Sequence, residues 1–183
     1  MKVPPAVPPV AVVHQEGVVG LLAVVGLGLR DGTPLSGLAP RGSLLLSVAA
    51  GAALGLALAG VLWVLERWAL PALRRLAGWQ RAMVAGWQPA EALAVAVLSG
   101  LAEEAFARAL LQPLVGLLPA AAVFALLHLP PDRRAWAWPV TAFALGLVLG
   151  LIFQRWGYPA AAAAHGTVNA VGLLRLSRSP AGV

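Results

Sequence analysis

The sequence contains no cysteine, and charged residues are scarce. Only 11% of its 183 residues are Asp, Glu, Lys or Arg, whereas 60% are hydrophobic, and the only aspartates are Asp31 and Asp132. The lack of thiols excludes disulfides, iron–sulfur clusters and zinc sites built on thiolates. Because a soluble domain is about a quarter charged, this composition, with a mean hydropathy of +0.84, predicts a membrane protein.

Apolar stretches recur along the chain and predict an all-α fold, a polytopic membrane helix bundle with about six transmembrane helices. A helix needs about 20 apolar residues to cross a bilayer. The predicted spans are residues 10–29, 43–65, 89–112, 136–153 and 159–174, together with a short helix at 119–129. Prolines interrupt the apolar run near Met1, so we expect no cleaved signal peptide and a retained first helix.

Two parts of the N-terminal region depart from this pattern of apolar spans. His14, Gln15 and Glu16 interrupt the first span. We favour a position for them at the membrane interface, and the alternative is that they face the bundle interior. Residues 66–88 mix arginines with Leu, Ala and Trp, which predicts an amphipathic interfacial segment anchored by tryptophans.

The basic residues are distributed unevenly between the two predicted sides of the membrane. Six spans place both termini on one side, with nine basic residues there and three on the other side. Since Lys and Arg concentrate in cytoplasmic loops, we predict a multi-pass integral protein of a prokaryotic inner or plasma membrane, with both termini in the cytoplasm. The net charge of +6 then reflects membrane orientation, and we expect the lipid bilayer, not nucleic acid, as a partner.

Three charged residues, Glu103, Glu104 and Arg108, lie within six positions of a predicted span. A charged side chain at the bilayer centre costs about 3 kcal/mol or more, so it persists mainly where it is paired or used. Glu104 and Arg108 are four residues apart and share a helix face, which predicts a structural ion pair. Glu103 lies about 100° around the helix and has no partner in its own segment, so its carboxylate is left for another task.

Further polar residues occur at a similar depth in two later helices. His128 ends the short helix, and His165 and Asn169 lie four residues apart in the last span. With a rise of about 1.5 Å per residue, these three residues and Glu103 fall in one layer near mid-membrane. A lone histidine or asparagine in a bundle is more often structural, but together these groups predict a functional site.

The groups in this layer suit hydrolysis by an activated water molecule. Glu103 and His128 can hold and deprotonate water, and His165 with Asn169 can donate hydrogen bonds to a developing oxyanion. Other intramembrane proteolytic mechanisms fit less well. Both aspartates lie in loops, the His-Glu-x-x-His zinc motif is absent, and Ser99 lacks the glycine elbow of a serine nucleophile.

Three motifs, in this order, resemble the CAAX-protease and bacteriocin-processing family, which includes the Rce1-type prenyl-protein proteases. They are Glu-Glu-x-x-x-Arg at 103–108, Phe-x-x-x-His at 124–128 and His-x-x-x-Asn at 165–169. The resemblance covers roughly residues 89–175, which leaves 1–88 as N-terminal spans plus the interfacial segment and 176–183 as a polar tail. One departure is Ala-Arg-Ala at 107–109, where many members have Phe-Arg-Gly.

The resemblance implies an all-α intramembrane endopeptidase that cleaves a peptide bond in a membrane-associated or prenylated protein or peptide. It implies Glu103 and His128 as the pair that activates water, and His165 with Asn169 as the oxyanion site. The supporting residues on this assignment are Glu104, Arg108 and Phe124.

The sequence leaves the cofactor and two other classes of function open. The glutamate-dependent mechanism requires no cofactor, although Glu103, His128 and His165 could ligate zinc. A non-catalytic membrane scaffold or immunity protein on the same fold is one alternative, although such a protein has no need of an ionisable Glu103. A small transporter is another, but its polar residues would form a path across the bilayer, and no inverted repeat is visible.

Overall fold

The computed structural model describes residues 4–35 and 37–178, and the regular secondary structure in these ranges is helical, with no strand among them. The predicted all-α fold is therefore confirmed. The α-helices are α1 (Pro9–Asp31), α2 (Leu44–Val64), α3 (Pro71–Met83), α4 (Pro89–Glu104), α5 (Gln112–Val115), α6 (Leu117–Leu127), α7 (Ala137–Trp156) and α8 (Tyr158–Arg178). Two π-helical segments, π1 (Leu65–Ala69) and π2 (Ala105–Leu111), follow α2 and α4, and a 3-10 turn (Arg133–Ala135) precedes α7.

Three helical stretches are long and apolar enough to cross a membrane, namely α1, α2 continued by π1, and α7. The apolar α6 is shorter, with 11 residues. These spans and the composition describe an integral membrane protein, whereas the total of about six crossings stays a prediction. Helix α8 continues to Arg178, so the predicted tail begins as helix, and residues 179–183 lie outside the described residues.

Local hydrogen bonds specify the start of α4. Pro89 occupies the first turn, as predicted, and Gln88 and Glu91 form a capping box in which the Gln88 backbone N–H donates to the Glu91 carboxylate at 2.7 Å. The helix then runs unbroken to Glu104. No break occurs at Ser99-Gly100, and the glycine serves helix packing.

Helix α8 packs against α2, α4 and α7 and forms the centre of the bundle. Glycines permit this close approach. A Cβ added at Gly100 of α4 would lie 2.7 Å from backbone atoms of Ala162 and Gly166 in α8, and one added at Gly55 of α2 would lie 2.5 Å from the Ala164 carbonyl oxygen. The glycines thus set the register of α4 against α8, which decides which polar residues of the two helices meet.

Helix α1 packs against α4 and π2 through one face. Ala23 and Leu27 on this face are fully buried, and a Cβ added at Gly20 would lie 3.6 Å from the Cβ of Ala102. The positions 20, 23 and 27 repeat every three or four residues, as a packed helix stripe requires. This contact places α1 beside Glu103 and Glu104, the acidic motif at the end of α4.

Helix α3 is amphipathic, as predicted for residues 66–88. It exposes Arg74 and buries Trp79, whose ring packs edge-on against Trp138 with a centroid distance of 5.5 Å. Trp87 is also buried, and its indole N–H donates to the Val7 carbonyl at 2.7 Å. The prediction of tryptophan anchors in the membrane was therefore wrong for Trp79 and Trp87, which pack inside the protein.

The backbone changes from α-helix to π-helix directly after Glu104. Pro113 has no N–H to donate to the carbonyl of Ala109, its partner in a regular α-helix. Arg30 at the end of α1 donates instead, with 2.9 Å to each of the Ala109 and Leu110 carbonyls. Single π-helical turns are frequent at functional sites, and the sequence analysis did not anticipate this one.

Candidate active site

The predicted site residues converge around the C-terminal end of α4, where α1, α6 and α8 supply neighbouring side chains. Glu103 and Glu104 end α4, His128 caps the C-terminus of α6, and His165 and Asn169 lie on α8. The bundle therefore brings residues that are distant in sequence into contact at one depth. Two sets of contacts form, one around each glutamate.

Glu103 and His128 form an acid–imidazole pair between α4 and α6. Oε2 of Glu103 lies 3.5 Å from Nε2 of His128, and the two side chains are 17% and 20% exposed. This distance is long for a direct hydrogen bond, but it suits two groups that contact the same water molecule. Both side chains are partly exposed, although Oε2 of Glu103 itself is buried.

The helix backbone fixes the orientation of the His128 ring. Its Nδ1 lies 2.8 Å from the carbonyl oxygen of Phe124. A carbonyl oxygen can only accept, so Nδ1 carries the proton, and Nε2 of the neutral ring presents a lone pair toward Glu103. The site therefore contains two adjacent proton acceptors.

Glu104 is fully buried and links α4 to α8. Its Oε2 accepts a hydrogen bond from Nε of Arg108 at 2.9 Å, which confirms the ion pair predicted from the four-residue spacing. Its Oε1 lies 3.0 Å from Nδ1 of His165, a contact that we did not predict. The carboxylate stabilises positive charge on this imidazole, and the doubly protonated ring would direct Nε2–H away from Glu104 as a hydrogen-bond donor.

A hydroxyl group from α4 holds Asn169. Its Nδ2 donates to Oγ of Ser99 at 2.8 Å, and Ser99 donates in turn to the carbonyl of Ala96 at 3.2 Å. His165 and Asn169 therefore both face α4, as their four-residue spacing predicts. Ser99 acts here as an acceptor that orients an amide, and the second N–H of that amide is not used by this contact.

The ring of Phe124 packs at the centre of the site. Its centroid lies 4.6 Å from that of His128 and 5.8 Å from that of His165, and the Arg108 guanidinium lies 5.0 Å from the same centroid. The ring face stabilises the guanidinium through a cation–π interaction. Phe124 thus separates the buried ion pair from the partly exposed His128.

One acidic residue of the site was missing from the predicted set. Glu16 of α1 is 4% exposed, its Oε2 is buried without a hydrogen-bond partner among the described residues, and its carboxyl group interacts electrostatically with Glu103 and His165. His14 and Gln15 are exposed, so the favoured interfacial placement was wrong for Glu16, which faces the bundle interior. The sequence did contain a signal, since positions 16, 20, 23 and 27 form one face of α1.

The arrangement does not match a three-ligand metal centre. Over residues 4–35 and 37–178, no group of three or more His, Cys, Asp or Glu side chains is placed to hold a metal ion. The zinc set considered from the sequence, Glu103, His128 and His165, is not such a group in the part of the chain that the structure describes.

A family model matches the part of the chain that carries the three motifs. Residues 85–171 match the model described as type II CAAX prenyl endopeptidase, Rce1-like, which confirms the resemblance drawn from the motifs. No curated protein and no solved structure matches the chain. Helices α1 and α2 lie before the matched segment, and so does Glu16.

Proposed function

Since residues 85–171 match the model of type II CAAX prenyl endopeptidases, Rce1-like, we propose that the chain hydrolyses peptide bonds with water activated by Glu103 and His128. The observation that carries this proposal is the pair itself. Two proton acceptors lie 3.5 Å apart and partly exposed among helices that are otherwise apolar. An ionisable group in such a place is retained mainly where it is used.

In the proposed reaction, the oxygen of a water molecule bonds to the carbonyl carbon of the scissile peptide while one water proton moves to Glu103. His128 accepts a hydrogen bond from the same water and orients it. The carbonyl group becomes a tetrahedral oxyanion. The proton on Glu103 then passes to the amide nitrogen and the C–N bond breaks. The remaining water proton passes from the new carboxyl group to the amine, so a carboxylate and an ammonium group are released without a covalent enzyme intermediate.

His165 and Asn169 are suited to stabilise the oxyanion. Glu104 supports a protonated His165 ring, and Ser99 orients the Asn169 amide. Donors that are fixed before the reaction stabilise developing charge without reorganising. Glu104 and the buried Arg108 then act by holding His165 in place, without touching the substrate.

The substrate class we propose is a membrane-associated or prenylated protein or peptide, which reaches the site from within or beside the bilayer. The location we propose is a prokaryotic inner or plasma membrane. The distribution of nine basic residues against three supports an orientation with both termini in the cytoplasm. The proposed mechanism uses no metal, because Glu103 and His128 can together accept the water proton and orient the water.

The test is cleavage of a peptide library by the purified full-length protein in detergent, with each peptide present in a prenylated and an unprenylated form. We expect cleavage that is unaffected by EDTA and lost in Glu103→Gln. Loss of cleavage with EDTA would indicate a metal-dependent reaction and contradict the mechanism. A folded wild-type protein that cleaves no peptide would favour the non-catalytic scaffold.

A further inference from the structure

Glu16 is a buried acid on a helix that exposes most of its side chains. Of the 23 residues of α1, three are buried: Glu16, Ala23 and Leu27. Ala23 and Leu27 fill the apolar contact with α4, but a carboxyl group is costly in such surroundings. Its neighbours His14 and Gln15 are exposed, whereas Glu16 is buried. The buried carboxyl group therefore requires a polar partner.

That partner is Glu103. Oε2 of Glu16 and Oε2 of Glu103 are both buried without a hydrogen-bond partner among the described residues. The Glu16 carboxyl group also interacts electrostatically with Glu103 and with His165. Two neighbouring ionised carboxylates repel each other. The pair is favourable when one carboxyl group is protonated and donates a hydrogen bond to the other. Glu103 must be ionised to accept a proton from water, and the donor is therefore Glu16.

The packing of α1 holds Glu16 at this position. One turn after it, Gly20 faces Ala102, the residue just before Glu103, and a Cβ at Gly20 would lie 3.6 Å from the Ala102 Cβ. At the other end of α1, Arg30 donates hydrogen bonds to two carbonyls of π2. The helix is thus attached on both sides of the acidic motif.

We propose that Glu16 is a positioning residue of the active site, which as a neutral acid donates a hydrogen bond to Glu103 and holds the Glu103 carboxylate toward His128. The inference rests on the proposed function, because Glu16 would orient Glu103, the glutamate proposed to activate water. It extends the site from the matched segment 85–171 to the first helix. A purely structural role would require only that the volume of Glu16 be filled.

Three substitutions separate these two roles. Glu16→Gln keeps a neutral donor of similar size, Glu16→Leu keeps the volume but removes the donor, and Gln15→Leu changes an exposed neighbour. With a peptide that the wild type cleaves, kcat should fall roughly 10- to 100-fold in Glu16→Leu with KM unchanged. The conservative Glu16→Gln should lose less than about threefold, and Gln15→Leu should match the wild type.

Infrared difference spectroscopy provides a measurement that needs no substrate. A protonated carboxylic acid has a C=O stretch separate from that of a carboxylate. The wild-type protein should show a buried-acid band that Glu16→Gln removes and that shifts in Glu103→Gln, where the acceptor has changed. This band can be present even if no peptide is cleaved, so failure of the proposed function and failure of the inference are distinguishable.

The inference is overturned if Glu16→Leu cleaves at the wild-type rate, if Glu16→Gln is as slow as Glu16→Leu, or if the acid band persists in Glu16→Gln. Thermal unfolding in the same detergent verifies that each variant is folded. Should Glu16→Leu fail to fold, the kcat of Glu16→Gln and its infrared band decide the question.

Discussion

Nδ1 of His165 lies 3.0 Å from Oε1 of Glu104, across the interface between α8 and α4. The same carboxylate accepts a hydrogen bond from Arg108, so one fully buried acid connects an ion pair to an imidazole of the site. His165 depends on Glu104 for its orientation, and Arg108 depends on it for charge compensation. The two glutamates of the motif therefore have different surroundings. Glu103 is partly exposed beside His128, whereas Glu104 is buried and contacts both Arg108 and His165.

Glu104→Gln should lower both stability and activity. The amide cannot neutralise the buried Arg108 guanidinium, and breaking a buried ion pair costs about 3–5 kcal/mol of the free energy of unfolding. Thermal unfolding and the cleavage rate would measure the two effects. Glu91→Gln, which alters only the exposed capping box of α4, is the control and should cost less than about 1 kcal/mol, because the Gln carbonyl oxygen can still accept the hydrogen bond. A wild-type Tm for Glu104→Gln would show that Arg108 does not need this partner.

Gly100→Ala should separate α4 from α8. The new Cβ would lie 2.7 Å from backbone atoms of α8, and backbone cannot rotate away as a side chain can. The displacement should weaken the Glu104–His165 contact, so that the Tm and kcat both fall. Gly60→Ala on α2 is the matched control, because a Cβ there meets nothing within 4 Å. Equal Tm values for the two variants would contradict the assigned packing role of Gly100.

Ser99→Ala should reduce the rate without abolishing it. Its hydroxyl orients the Asn169 amide, and loss of a hydrogen bond worth about 0.5–1.5 kcal/mol corresponds to roughly a 3- to 10-fold slower reaction. Reagents that acylate serine nucleophiles should leave the wild-type rate unchanged. Complete loss of cleavage in a folded Ser99→Ala protein would instead support a serine mechanism.

The local part of the site could be predicted from the sequence. Glu104 with Arg108, and His165 with Asn169, are spaced by four residues, and a helix places such pairs on one face whatever its surroundings. The Glu104–Arg108 ion pair and the common direction of His165 and Asn169 were therefore predictable from spacing alone. The all-α fold followed in the same way from composition and apolar periodicity.

Contacts between helices could not be predicted in this way. The Glu104–His165 contact depends on the register of α4 against α8, which Gly100 sets through backbone contact. Nothing in the spacing of the α4 residues identifies Gly100 as a contact with α8. Glu16 was placed at the interface because its polarity was considered without the stripe that continues through Gly20 and Leu27. In each case tertiary packing, which single-helix patterns do not contain, decided the outcome.

The most direct test of the central claim is the single-turnover cleavage rate of Glu103→Gln, measured with full-length protein whose Tm matches the wild type. Glutamine fills the same volume but cannot accept the water proton, so the rate should fall roughly 10²- to 10⁴-fold, as expected for the loss of a general base. His128→Ala, which removes the second acceptor at 3.5 Å, should also be slow. Cleavage by Glu103→Gln at the wild-type rate would contradict the account.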